Sequence, residues 1–540
     1  MAQFINAKED LVTQAIDGLL AASNGTLTRL DGYPHIKVVY RSDWDKSKVA
    51  LISGGGSGHE PAHAGFVGAG MLTAAVCGEV FASPSVEAVL AGILAVTGDR
   101  GCLLIVKNYT GDRLNYGLAA ERARALGRKV EMVVVDDDIA LPDLPQPRGL
   151  AGTLFVHKVA GALAEAGKDL AAVTAAAKAV IGKVNSLGMS LKTCTVPGSQ
   201  REERIAPGHA ELGLGIHGEP GVEQVAFVDA AQAIATITAK LKPTLGTGQP
   251  VALLNNLGST TPLEMSVLAH ALAGAGLTQH VIGPAPMMTS LDMHGFSISV
   301  MAADDGELAA LASPVAMAAW PGLQTLSPVQ TAPLPDGLTP IAPIPSANPR
   351  AHDIIMKVTG QLIAAENDLN DLDAKSGDGD TGSTLATAAR ALQNSLERMP
   401  LADLTQLFPA LGNELSQTMG GSSGVILAIY FNAAGDACAG GAPVQDALCE
   451  GLRRVSDVGG AKMGDRTMID ALEPALLALP NGIGAAATAA RTGANATANI
   501  HRAKAGRAAY VPAENLKGHN DPGAEAVALL FEGLAKELEG

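Results

Sequence analysis

Apolar residues recur at three- and four-residue steps at Leu11, Ala15, Ile16, Leu19 and Leu20, which predicts an amphipathic helix within the first twenty or so residues. Two strand-like runs follow, Ile36 to Tyr40 and Val49 to Ser53. The second enters Gly54-Gly-Gly-Ser-Gly-His-Glu-Pro61, with a helical segment expected beyond it. Strand, glycine loop and helix is the layout of a ligand-binding turn in α/β proteins. The pattern then repeats. Ser83 to Val96 reads as a helix with Pro84 near its start. Cys102 to Val106 reads as a buried strand ending in Lys107-Asn-Tyr-Thr-Gly-Asp112. Ala119 to Leu126 is helical, and Val130 to Val135 is a strand that ends in Asp136-Asp-Asp138. That acidic run is expected to face solvent.

One long Ala-rich helical region is expected from Phe155 to Val184. Glu211 to Gly221 is strand-like, with His217 between glycines at its end. Val251 to Asn255, Pro262 to Ala275 and Phe296 to Val300 continue the strand and helix alternation. Such alternation predicts a two-lobed α/β domain of mixed sheets covered by helices. Periodicity then stops. Proline stands at 328, 333, 335, 340, 343, 345 and 349, which predicts a semi-rigid linker over 323–350. Beyond it the chain is almost all helix, over Asp353 to Asn367, Ser383 to Met399, Leu404 to Gln417 and on to the end. The predicted division is 1–322, linker, and 351–540.

The densest polar stretch is Asp371-Leu-Asp-Ala-Lys-Ser-Gly-Asp-Gly-Asp-Thr-Gly-Ser383. Asp371, Asp373, Asp378 and Asp380 share one short loop and repel one another unless a cation sits among them. Hard oxygen ligands in a glycine turn suit Mg²⁺ or Ca²⁺ rather than zinc. Thr381 and Ser383 are candidate caps for the following helix, whose N-terminus is also a natural phosphate site. The EF-hand spacing is absent, and no Walker lysine follows. Spacing alone leaves an ordinary solvated turn as the alternative. Gly- and Ser-rich connections at Met419 to Gly424, Gly459 to Thr467, Ala505 to Arg507 and Gly518 to Gly523 can supply donors to one end of a helical bundle. They also suit plain helix connections.

Composition narrows the function classes. The 540 residues are 47% hydrophobic, 17% charged and only 3% aromatic, with 62 glycines, so the core must be aliphatic and Ala-rich with many tight turns. A net charge of −16 argues against nucleic acid or an anionic membrane as partner. A polyanionic substrate then needs local metal and backbone donors. The five cysteines are scattered without zinc or CxxC spacing, which fits reduced thiols in a cytoplasmic protein. The first residues lack a basic region followed by an apolar one, so no signal peptide is expected. No apolar run is long enough to cross a bilayer.

Three motifs occur in order around the Pro-rich stretch: Gly54 to Pro61, Gly215-Ile-His-Gly-Glu-Pro220, and Asp373 with Gly377-Asp-Gly-Asp-Thr-Gly-Ser383. In this the chain resembles the single-chain ATP-dependent dihydroxyacetone kinases over essentially its whole length. The resemblance implies a triose-binding N-terminal domain and a C-terminal helical barrel that binds Mg–ATP. It implies that His217 attacks the substrate ketone to form a covalent hemiaminal, and that His59 and Asp112 take or orient the hydroxyl proton. Gly56, Ser57, Gly58, Lys107 and Asp112 would hold the hydroxyls. Asp373, Asp378 and Asp380 would hold two Mg²⁺ ions. Thr381, Gly382, Ser383, Thr384, Ser422, Ser423, Gly464, Arg507, Asp521, Pro522 and Gly523 would line the nucleotide pocket. Taken singly, His217, His59 and Asp112 suit structural or turn roles, Lys107 suits a solvated strand end, and His63 and His157 are read as structural.

The expected reaction is phosphoryl transfer from ATP to dihydroxyacetone, and to glyceraldehyde, in a homodimer. An adduct on the ketone would exclude glycerol, which has no carbonyl. Two other functions belong to relatives of the same family. One is cyclisation of FAD to cyclic FMN. The other is a phosphorelay form, on separate chains, that keeps ADP as a fixed cofactor. Joining both domains in one chain favours free ATP. A linker reaching about 3 Å per residue lets the helical domain serve its own triose site or that of a second copy.

Overall fold

The computed structural model describes residues 3–141, 146–335 and 343–540 except Gly540, with the side chain of Glu539 also left aside. It divides into two compact units, Met1–Thr331 and Ala332–Gly540. Of the expected linker, 336–342, including Pro340, lies outside the described residues.

In the first unit, six described strands form one sheet: β1 Leu27–Arg29, β2 Val38–Arg41, β3 Ala50–Ser57, β4 Ala74–Val80, β5 Cys102–Lys107 and β6 Val130–Val135. Their order is β1-β2-β4-β3-β5-β6, parallel from β4 to β6 and antiparallel at β1 and β2. Seven described strands form the second sheet. They are β7 Asn185–Lys192, β8 His209–Leu212, β9 Glu223–Ala226, β10 Gln249–Asn256, β11 His280–Pro286, β12 His294–Ala303 and β13 Leu323–Thr325. Here only β10 and β11 run parallel. The helices are α1 Leu11–Ala21, α2 Val86–Val96, α3 Thr110–Ala125, α4 Thr153–Glu165, α5 Leu170–Ile181, α6 Ala230–Leu241, α7 Pro262–Gly274 and α8 Asp305–Ala312.

The Ala-rich region expected as one helix is two, α4 and α5. The chain turns at Gly167, whose φ is +78°, and Asp169 restarts it by accepting from Ala172 N at 2.8 Å, an ordinary N-cap. Thr153 to Gly161 are all buried, as suits a helix apolar on every side. One aliphatic core reaches from Leu51 and Leu103 of the first sheet, through Phe155 and Val159 of α4, to Val251 and Met301 of the second. No full helix follows the first glycine loop. A single 3₁₀ turn, Ala64–Phe66, leads into β4.

The acidic run is a second correction. Asp136 is exposed, but Asp137 and Asp138 are 2% and 5% exposed. Asp137 accepts from Leu150 N at 2.7 Å and Gly152 N at 2.9 Å, and from the Ser186 hydroxyl. Asp138 accepts from Arg148 Nε at 2.6 Å. Strand ends that look solvated therefore stitch the two sheets together.

The second unit contains α9 Pro349–Ala364, α10 Glu366–Asp373, α11 Thr381–Ser395, α12 Leu404–Thr418, α13 Gly421–Ala439, α14 Val444–Gly459, α15 Ile469–Ala478, α16 Ile483–Thr497, α17 Ala513–Leu516 and α18 Pro522–Glu539. Small residues let these helices pack closely. Ala471, Ala475, Ala486, Ala490, Ala494, Ala524 and Ala528 line one core with Leu472 and Phe531. No described helix is long and apolar enough to cross a membrane.

Candidate active site

The first cluster forms where the C-terminal ends of β3 and β5 meet the loop after β8. β3 is buried along its whole length, so its glycines present bare backbone. Gly55 has φ +144°, and a Cβ there would stand 3.1 Å from Lys107 Nζ and 3.5 Å from Asp112 Oδ2. A side chain would fill the space that these two groups share. Lys107 is wholly buried and Asp112 is 3% exposed, so the reading of Lys107 as a solvated strand end does not hold. Asp112 Oδ1 is buried without a partner. Burial pushes the Lys107 ammonium below its ordinary range, opposed by the charges of Asp112, Asp137 and Glu60.

His59 is fully buried. Its Nδ1 lies 2.8 Å from the Thr289 carbonyl, which can only accept, so Nδ1 carries the proton and Nε2 keeps its lone pair. Nε2 has no partner. Burial, with the charges of Lys107 and His217, holds His59 well below the usual histidine range, so it is neutral and basic at Nε2. His217 repeats the arrangement. Its Nδ1 lies 3.1 Å from Glu219 Oε1, and its backbone N–H donates to Glu219 Oε2 at 2.9 Å. The Nδ1 proton faces the carboxylate, and Nε2 makes no hydrogen bond among the described residues. Burial raises Glu219, but the hydrogen bond and charge of His217 outweigh it and bring Glu219 to about 2.

The two imidazoles stand 4.8 Å apart, edge to face. Tyr109 and Phe81 close on His217 at 4.4 Å and 5.2 Å, so three rings hold it. Arg148 steadies the His217 loop by donating to the Gly213 carbonyl at 2.8 Å while paired to Asp138. The glycine loop has its own closure. Gly58 N donates to Glu60 Oε2 at 2.9 Å, and Ser57 Oγ donates to the Gly78 carbonyl at 2.8 Å. Ser57 therefore offers its oxygen as an acceptor. Gly56 lies in β3 beside the Phe81–Ala82 backbone.

Glu219 tests the tautomer. Glu219→Gln is expected to lower kcat/KM for a carbonyl substrate by about tenfold, because an amide can present an N–H to Nδ1 and turn the ring proton to Nε2. A depressed carboxylate contributes stability above its ordinary 4.5 that is lost as pH falls toward about 2. Acid unfolding between those values should be shallower in the variant, measured by circular dichroism across pH.

The second cluster lies in the helical unit. Oxygens of Asp373, Asp378 and Asp380 all fall within 4.8 Å of one another. Asp373 is at the end of α10 rather than in a loop, and Asp371, two residues earlier, is exposed and outside the group. Asp373 Oδ2 accepts from the backbone N–H of Gly379, Asp380 and Thr381 at 3.1, 3.0 and 3.2 Å. One carboxylate thus winds the glycine turn around itself. Asp378 pairs with Arg507. Three carboxylates converging beside one arginine fit a hard divalent cation.

Thr381 and Ser383 do not cap α11. Its N-cap is Asp380, and Ser383 is fixed from outside by Asn370, through Ser383 N to Oδ1 at 3.0 Å and Nδ2 to Ser383 Oγ at 2.9 Å. Gly382 sits against α10, where a Cβ would be 1.9 Å from the Glu366 carbonyl. Gly382→Ala is therefore expected to push the turn off α10 and weaken Mg–nucleotide binding at least about tenfold. Titration calorimetry reads this, and triose affinity in the α/β unit should be unchanged.

A third group joins Gly464, Asp470 and Asp521. Gly464 N and Thr467 N donate to Asp470 at 2.6 and 2.8 Å. Burial raises Asp521 to about 6, and it caps α18 by accepting from Ala524 N at 2.9 Å, ahead of which stand Pro522 and Gly523. Lys504 pairs with Asp465 at 3.3 Å, and Arg507, three residues on, reaches Asp378, so one short segment ties the last two groups together. Ser422 and Ser423 open α13, exposed. No hydrogen bond among the described residues joins them to either group, and Thr384 lies one turn into α11.

Glu219, Tyr109, Phe81, Thr289 and Asn370 were not among the expected site residues. Glu219 lies inside one of the three motifs, where a carboxylate two residues after a histidine is a usable signal, and Tyr109 lies in the Lys107 to Asp112 strand end. Thr289 acts through a backbone carbonyl 230 residues away, which leaves no trace in side-chain pattern.

Comparison with known proteins decides the family. A Dak1 domain model matches residues 17–319 and a DAK2 domain model matches 375–536. The chain is 48% identical to the dihydroxyacetone kinase of Citrobacter freundii, covering 99% of both chains. The chain belongs to the dihydroxyacetone kinase family. As such it is a phosphotransferase. It is also 39% identical to the human triokinase/FMN cyclase, again over 99% of each. The crystal structure of the C. freundii dihydroxyacetone kinase in complex with AMP-PNP and Mg²⁺ matches it with a TM-score of 0.68 and 46% identity, covering 99% of each chain. The native form of the same kinase gives 0.69 and 47%, covering 99% of this chain and all of that one.

Proposed function

We propose that the chain transfers the γ-phosphoryl group of Mg–ATP to dihydroxyacetone held as a covalent hemiaminal on His217. The carrying observation is the pair of imidazoles with ring centroids 4.8 Å apart, each with Nδ1 tied to an acceptor and Nε2 turned away from it. His217 Nε2 adds to the ketone carbon as the carbonyl π pair shifts to oxygen, and that oxygen takes a proton from solvent while the ring keeps its Nδ1–H. Glu219 offsets the positive charge that the ring gains. Lys107 donates to a triose oxygen. Asp112 and His59 Nε2 hold and remove the proton of the hydroxyl that attacks phosphorus.

Asp373, Asp378 and Asp380 would hold Mg²⁺, which when bound neutralises phosphate charge, and two ions are expected. The turn from Thr381 to Thr384, with Gly464, Arg507 and Asp521 to Gly523, would bind the nucleotide, with Ser422 and Ser423 at the start of α13. Residues 1–322 would then be the triose domain and 351–540 the ATP domain, joined by a Pro-rich linker. We assign the enzyme to the cytoplasm as a homodimer, and the five free cysteines support a reducing compartment. Glyceraldehyde, also a triose with a carbonyl, is a second acceptor.

A coupled ADP-release assay tests the reading. Turnover should require Mg²⁺ and dihydroxyacetone and should be negligible with glycerol. Equal turnover of glycerol would rule out the carbonyl adduct as the source of selectivity. The similarity to a triokinase/FMN cyclase supports FAD cyclisation to cyclic FMN as a side reaction of the same metal–nucleotide site, tested by chromatography of FAD incubated with Mn²⁺.

A further inference from the structure

Lys107 Nζ makes one hydrogen bond among the described residues, to His63 Nε2 at 3.0 Å, and both groups are buried. A wholly buried ammonium ordinarily sits against a carboxylate. Here none forms an ion pair with it among the described residues, and a neutral ring takes that place. An ammonium offers three N–H donors and accepts nothing. His63 Nε2 therefore supplies a lone pair and Nδ1 holds the ring proton. Burial and the Lys107 charge keep His63 well below its ordinary range, which fixes it as a neutral acceptor. His63 Nδ1 has no partner. Behind it stands His157 of α4, 5.2 Å between ring centroids, brought to about 3 by burial and by Lys107.

We propose that His63 is a positioning residue for the triose, acting through Lys107. It pins Nζ above Gly55 with one hydrogen bond and leaves the other N–H donors to the substrate oxygens. A carboxylate at this position would neutralise the lysine and draw it away from the substrate. A neutral imidazole fixes its place and leaves its charge to the site. The inference rests on the reading that Lys107 grips the triose, so the test separates the two.

In the full-length enzyme, Lys107→Met should raise KM for dihydroxyacetone at least about tenfold. His63→Leu, which removes the acceptor, should raise the same KM about tenfold and move KM for ATP less than about twofold. His63→Gln, whose amide oxygen can accept from Nζ, should restore the triose KM to within about threefold. If His63→Leu does not fold, His63→Met gives the same readout. A folded Leu or Met variant with an unchanged triose KM overturns the proposal. So does a Gln variant as impaired as Leu, or a loss that falls equally on both substrates. If Lys107→Met leaves the triose KM unmoved, the underlying reading fails and the proposal goes with it.

Discussion

Replacing His217 by alanine is expected to lower kcat/KM for dihydroxyacetone at least about 10²-fold and to erase most of the preference over glycerol. The geometry sets this expectation. Nε2 makes no hydrogen bond among the described residues, its ring is held by Tyr109, Phe81 and His59, and Glu219 fixes the opposite nitrogen. In the proposed adduct, removing the ring takes away both the nucleophile and the group that fixes the carbonyl carbon. What remains of the proposed site, Lys107, Asp112 and bare backbone, would recognise hydroxyls, which glycerol also carries. Selectivity built on one functional group is lost with the group that reads it. Thermal stability near neutral pH should fall modestly, because the Glu219 carboxylate loses the ring that holds it low. Steady-state kinetics with both acceptors checks the result.

Asp373→Ala should act on the other substrate. Asp373 Oδ2 alone accepts from three backbone N–H groups, and the same carboxyl belongs to the acidic group. Losing it leaves three part-buried donors without an acceptor, each costing about 1 kcal/mol or more, and removes one negative charge from the cation site. The turn should open, and kcat/KM for Mg–ATP should fall at least about 10²-fold, with triose affinity unchanged. Asp373→Asn keeps one oxygen acceptor and should fall less. Chelation of the wild type should abolish turnover and added Mg²⁺ should restore it. Kinetics against ATP and Mg²⁺ distinguish these outcomes.

How far the sequence reached depended on the kind of interaction. Helices with an uninterrupted apolar stripe were placed closely: Leu404 to Gln417 was expected and α12 is Leu404–Thr418. Where burial is complete the stripe vanishes, and α4 and α5 merged into one because Ala and Val fill every face. Charged residues misled wherever tertiary structure supplied their partners. Asp137 and Asp138 read as solvated, yet the backbone of 150–152 and Arg148 bury them. Lys107 suited a surface strand end, and tertiary neighbours that local pattern does not show, His63, Gly55 of β3 and Gly149 among them, make it interior. The acidic turn was visible by composition, but its winding around Asp373 needs the end of α10, which propensity did not indicate among so many aspartates and glycines. The histidine tautomers depend on Thr289 and Glu219. One of these was within reach of local spacing, and the other was not.

The most direct measurement is a crystal of the full chain soaked with dihydroxyacetone. Continuous density between His217 Nε2 and the central carbon of the triose, with that carbon tetrahedral, is the predicted result. A planar, unattached ketone in crystals that remain catalytically active would contradict the account.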